Sequence, residues 1–120
     1  MDKKWNATNI NPDELIKLSR GDKAVIYKYL KQFQKLIPQR INSLEESLKA
    51  EDRKMIRQIL HKMSPQLQFF GIPDIIQPIR RLELEYETMP IEDLNILVYN
   101  VLIKLNLAIK DVDSILKKHF

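Results

Sequence analysis

LHKMSPQLQFFG, residues 60 to 71, sets His61 one turn before Pro65. Imidazole is a nucleophile that is substantially neutral near pH 7, so an accessible histidine can accept a transferable group. A proline inside a helix removes a backbone hydrogen bond and crowds the carbonyl four residues earlier, here that of His61 itself. The apolar residues around it, Ile56, Ile59, Leu60, Met63, Leu67 and Phe70, recur at helical spacing. His61 lies roughly 140° from the centre of that stripe, on the solvent side of a helix. Arg57, Ser64, Pro65 and Gln68 share its face, at spacings that bring side chains together. No histidines and carboxylates gather near it at metal-ligand spacing. Taken alone, an exposed histidine on an amphipathic helix is ordinarily a solvated side chain. The second histidine, His119 in KKHF, sits where chain ends fray.

The elements that must position His61 follow from the apolar periodicity. Asn11-Pro12-Asp13-Glu14 signals a short first helix, with Leu15 and Leu18 on its apolar face and Arg20-Gly21 as its stop. Asp22 opens a long helix to about residue 49, whose stripe is Ile26, Leu30, Phe33, Ile37, Ile41, Leu44 and Leu48. Pro38 leaves the phase of that stripe intact, which fits one kinked helix, with two shorter helices as the alternative. Asp52 opens the histidine helix. Gly71-Ile72-Pro73-Asp74 is a turn, after which Ile75, Ile76, Ile79, Leu82 and Tyr86 form another helical face, with Pro78 near its start. Thr88-Met89-Pro90 breaks the chain again. The last helix runs from about Ile91 towards the C-terminus, with Leu94, Val98, Val101, Leu105, Ile109, Val112 and Leu116 in phase. The expected fold is all-α: an antiparallel up-down four-helix bundle with a short extra N-terminal helix. All 120 residues form one domain, with 1–10 a flexible N-terminal segment.

Composition narrows the function classes. Hydrophobic residues make up 44% and charged residues 30%, the balance of a globular domain. The absence of cysteine excludes disulfides and thiolate metal sites. No apolar run reaches the roughly 18 residues that would cross a membrane, and the N-terminus lacks a signal-peptide core, so a cytoplasmic location is expected. The net charge of +4 is modest and its basic residues are interspersed with acidic ones, as in Lys49, Glu51, Asp52, Arg53, Lys54. It suits an acidic protein partner better than nucleic acid. Arg80-Arg81 reads as a solvated helix face, Met55 and Met63 as core filling, and Trp5 and Phe69 as peripheral packing or a contact surface.

From about Asn11 to Glu83 the chain resembles a histidine-containing phosphotransfer (HPt) domain. The family motif is histidine, any residue, an aliphatic residue, lysine, glycine and a small polar residue, closed by an apolar residue and glycine. His61 matches the phospho-acceptor, Met63 the buried position two residues on, and Phe70-Gly71 the closing pair. The lead-in from Leu15 to Met63 shares the short helix, Gly-Asp turn, proline-interrupted long helix and acidic turn. Downstream, IIQPIRRLE is similar to the family's segment closing on leucine-glutamate. Ser64 stands where the family usually has lysine, and Pro65 where it usually has glycine. Arg57 and Lys62 are candidate replacements for the missing charge.

The resemblance implies a phosphorelay carrier rather than a stand-alone enzyme. His61 would accept a phosphoryl group from a receiver-domain aspartate and pass it to another receiver. Ser64, Arg57 and Gln68 would neighbour the phosphate, and Lys54, Lys62 and Pro65 would meet the partner. No cofactor is expected on this chain, because Mg²⁺ would sit on the receiver. The expected partners are response-regulator receivers and a hybrid sensor histidine kinase, with neither nucleic acid nor membrane, and the expected state is a monomer. The competing reading is a helical adaptor that binds signalling proteins without taking phosphate, which Ser64 and Pro65 favour. A basic nucleic-acid-binding bundle has only the charge in its support.

Overall fold

Side chains with a free oxygen start three of the helices. In the computed structural model, which describes Trp5 and residues 7–120, Asn11 Oδ1 accepts from the Asp13 amide at 3.0 Å. Asp22 Oδ1 accepts from Ala24 at 2.9 Å and Val25 at 3.4 Å. Asp52 Oδ1 accepts from Met55 at 3.0 Å. Each bond satisfies an amide that the first helical turn leaves unpaired. Among the described residues the helices are α1 (Asp13–Ser19), α2 (Lys23–Lys49), α3 (Arg53–Phe69), α4 (Ile76–Glu85) and α5 (Ile91–His119), and there is no strand. The long α5 places Glu92 and Asp93 in its first turn and Lys117, Lys118 and His119 in its last, matching the helix dipole at both ends.

Prolines do not divide these helices. Pro38 lies inside α2 and Pro65 inside α3, so the long segment is one helix rather than two. Pro78 falls in the first turn of α4, where a missing amide costs no helical bond. Among the described residues, no helix is long and apolar enough to cross a membrane.

The helices bury one continuous core. α2 packs against α1, α3 and α5, α3 against α4, and α4 against α5. Phe33 of α2 and Phe70 at the end of α3 meet with ring centroids 4.3 Å apart, both buried. Every expected stripe residue of α3 is buried, Phe70 just beyond its last turn included. Full burial of such a side chain stabilises the fold by about 1.5–3 kcal/mol. The stripes of α2 and α5 differ slightly from the simple wheel. Leu48, Ile109 and Leu116 are half-buried, while Ser47, Ala108 and Ile115 are buried in full. Since α5 faces both α2 and α4, its buried sector also takes in Leu97 and Leu102.

The expectation of a flexible segment over residues 1–10 falls partly outside the described residues, at 1–4 and 6. Its described part contacts the bundle. Asp111 of α5 accepts from the amides of Thr8 and Asn9, at 3.2 and 2.7 Å, and Ile10 is buried. Asn11 then donates its amide to the Phe70 carbonyl at 2.9 Å, fastening the entry segment beneath the end of α3.

Candidate functional site

His61 stands midway along α3, between the buried Leu60 and Met63. With the core fixing the rotation of the helix, the imidazole projects outward and its side chain is 65% exposed. The same rotation aligns Arg57, Ser64, Pro65 and Gln68 along one surface of the unbroken helix. Lys54, Pro65 and Gln68 are exposed and Ser64 is half-buried. Lys62 is exposed but points about 100° around the helix from His61.

One further residue, supplied by α4, completes the site. His61 Nδ1 is hydrogen-bonded to Glu83 Oε2, and the carboxylate side chain is 24% exposed. An ionised carboxylate can only accept, so the nitrogen facing it carries the hydrogen. In the neutral ring this leaves the lone pair on Nε2. The partner thus selects which nitrogen keeps a free lone pair, a role carboxylates commonly play for imidazole.

Helix direction explains how Glu83 reaches His61. The two residues are equally distant in sequence from Ile72, which lies in the turn between α3 and α4. Arg57, one turn earlier on α3, meets Tyr86, just past the last residue of α4, with its guanidinium 5.4 Å from the ring centroid. Arg53, another turn back, donates from Nη1 to the Tyr86 carbonyl at 2.9 Å and to the Met89 carbonyl. Partners that advance on one helix as they recede on the other define an antiparallel hairpin.

The expected site residues therefore divide into two groups. Ser64, Pro65 and Gln68 border His61 along α3. Arg57 is on the same face, but its guanidinium lies over the Tyr86 ring, and its buried Nε has no hydrogen-bond partner among the described residues. Among the described residues, no ion pair or hydrogen bond joins His61 to Arg57, Lys62, Ser64 or Gln68. Periodicity along α3 alone could not have found Glu83. Its signal was the leucine-glutamate that closes IIQPIRRLE, combined with its mirror position across the Gly71 turn. No group of three or more His, Cys, Asp or Glu side chains among the described residues is placed to hold a metal ion.

Comparison of the chain with protein-family models, curated proteins and solved structures finds no match in any of the three.

Proposed function

We propose that the chain is a histidine phosphotransfer carrier of the HPt type, with His61 Nε2 as the phosphoryl acceptor. The observation that supports this most directly is the exposed imidazole whose Nδ1 faces the Glu83 carboxylate. In the reaction, the Nε2 lone pair attacks the phosphorus of an aspartyl phosphate on a receiver domain. The N–P bond forms as the P–O bond to the aspartyl carboxylate breaks, and that carboxylate leaves with the electron pair. The ring becomes cationic and keeps its Nδ1 hydrogen, and Glu83 lies against that positive charge. The reverse sequence delivers the group to a second receiver. Mg²⁺ and the acidic cluster of the receiver steady the transferring phosphoryl group.

The closed circuit of contacts from α2 through α3 and α4 to α5 and back supports an antiparallel up-down four-helix arrangement, with α1 as an extra helix. In this reading the His61 face of α3 docks on a cytoplasmic receiver, with Lys54, Lys62, Pro65 and Gln68 around the contact. The positions of Ser64 and Arg57 favour a second reading, a receiver-binding adaptor that takes no phosphate. One residue offers a hydroxyl where the family offers a charge, and the other directs its guanidinium at Tyr86.

Incubation with phosphorylated receivers separates the two readings. The carrier gains an acid-labile label that His61→Gln lacks. Equal labelling of both proteins removes His61 as acceptor, and binding without label supports the adaptor.

A further inference from the structure

Besides the face that α5 buries, the helix carries a second apolar line that its own bundle does not use. Ile96, Tyr99, Ile103 and Leu107 are 61, 63, 45 and 39% exposed. At 100° per residue they fall within an arc of about 80°. That arc lies opposite Leu94, Val98, Val101 and Leu105, which are buried. Single exposed apolar residues are ordinary on a protein surface. Four in a line along one helix form a stripe.

The ends of the stripe carry opposite charges. Glu92 precedes it and Lys110 follows it, and both are exposed. They are 110 − 92 = 18 residues apart, five full turns at about 3.6 residues each, so both lie on the line of the stripe. Among the described residues neither takes part in an ion pair.

We propose that this face pairs with the same face of a second copy of the chain, the two α5 helices lying antiparallel about a two-fold axis at the level of Val101. A stripe that is acidic at its start and basic at its end complements itself when one copy is reversed. Glu92 of each copy then lies beside Lys110 of the other, Tyr99 lies across from Ile103, and Ile96 packs near Leu107. Parallel pairing would bring like charges together, and a partner of uniform charge would be repelled at one end. The isologous two-fold contact is the commonest form of homo-oligomer.

Size sets the strength of the contact. From Ile96 to Leu107 the apolar line is about 17 Å long at 1.5 Å per residue. That is short for an interface of about 800 Å² per partner, so the pair dissociates readily and its end charges weigh heavily. Grooves flank the ridge on both sides and can receive side chains of the second copy. One lies towards α4, lined by Pro78, Arg81 and Asn100. The other lies towards α2, lined by Glu45, Lys49 and Leu102. α3 sits across the bundle from α5, since both pack chiefly on α2 and α4. Pairing therefore leaves both copies of His61 open, and it does not depend on whether His61 carries phosphate.

Sedimentation equilibrium of the full chain from micromolar to millimolar concentration tests the proposal. The wild-type mass rises from monomer to dimer, and raising the salt concentration weakens the rise. Ile103→Lys stays monomeric, and Tyr99→Lys gives an independent substitution on the same face; circular dichroism verifies that each variant is folded. Glu92→Lys and Lys110→Glu each raise the dissociation constant roughly tenfold, because each disturbs two symmetry-related pairs. The double variant Glu92→Lys/Lys110→Glu returns it to near the wild-type value. A chain that remains monomeric at millimolar concentration overturns the proposal. So does a dimer indifferent to both lysine substitutions, or a double variant no tighter than the single ones.

Discussion

At the scale of single residues, the central feature is the contact between His61 Nδ1 and Glu83. It holds the ring in one orientation and leaves the lone pair on Nε2 facing away from Glu83. A hydrogen bond to a charged partner is worth about 1.5–3 kcal/mol. If the histidine carries phosphate, Glu83→Ala should slow acceptance on the order of 10–100-fold, measured as initial labelling by a phosphorylated receiver. The same variant has a readout that needs no partner. In ¹⁵N spectra of the imidazole, wild-type His61 in its neutral form should show a protonated Nδ1 and a bare Nε2. Glu83→Ala should lose that preference. A wild-type ring that already mixes the two tautomers would remove Glu83 from its positioning role.

Turns do the corresponding work for the helices, and Gly71 shows how. It ends the histidine helix with φ +62°, a conformation that costs an L side chain about 1–2 kcal/mol. A Cβ there would also lie 2.7 Å from both the Cβ and the carbonyl oxygen of Asn11. Asn11 cannot easily give way, because it starts α1 and donates its amide to Phe70. Gly71→Ala should therefore lower stability by about 2–4 kcal/mol, combining backbone strain with overpacking. The expected signature is a lower urea midpoint with the slope of the transition unchanged. An unchanged midpoint would mean that the entry segment shifts freely.

For the molecule as a whole, the registration of α3 against α4 decides whether the site exists. Arg53 secures that registration by donating to the Tyr86 and Met89 carbonyls at the end of α4 and the turn into α5. Arg53→Ala leaves both carbonyls without this donor and should cost about 1.5–3 kcal/mol. Hydrogen exchange should speed up locally around Met89 before it does so in α2. Uniformly faster exchange throughout the chain would instead make Arg53 a general contributor to stability. The proposed α5 pairing belongs to this same scale, since it joins whole bundles while leaving the His61 faces apart.

Apolar periodicity, capping residues and the Gly71 turn determined the helices, the outward direction of His61 and its row of neighbours on α3. Those features are local, because a helix repeats every 3.6 residues whatever it packs against. The stripe Ile56, Ile59, Leu60, Met63, Leu67 and Phe70 alone was enough to turn His61 towards solvent. Tertiary structure decided the partnerships between helices. It brought Glu83 to His61, drew Arg57 onto Tyr86, and tied Thr8 and Asn9 to Asp111. It also left Ile96, Tyr99, Ile103 and Leu107 exposed, because α5 packs chiefly on α2 and α4 with its opposite face. Such contacts depend on which helices become neighbours and in what register, which no single helix records in its own period.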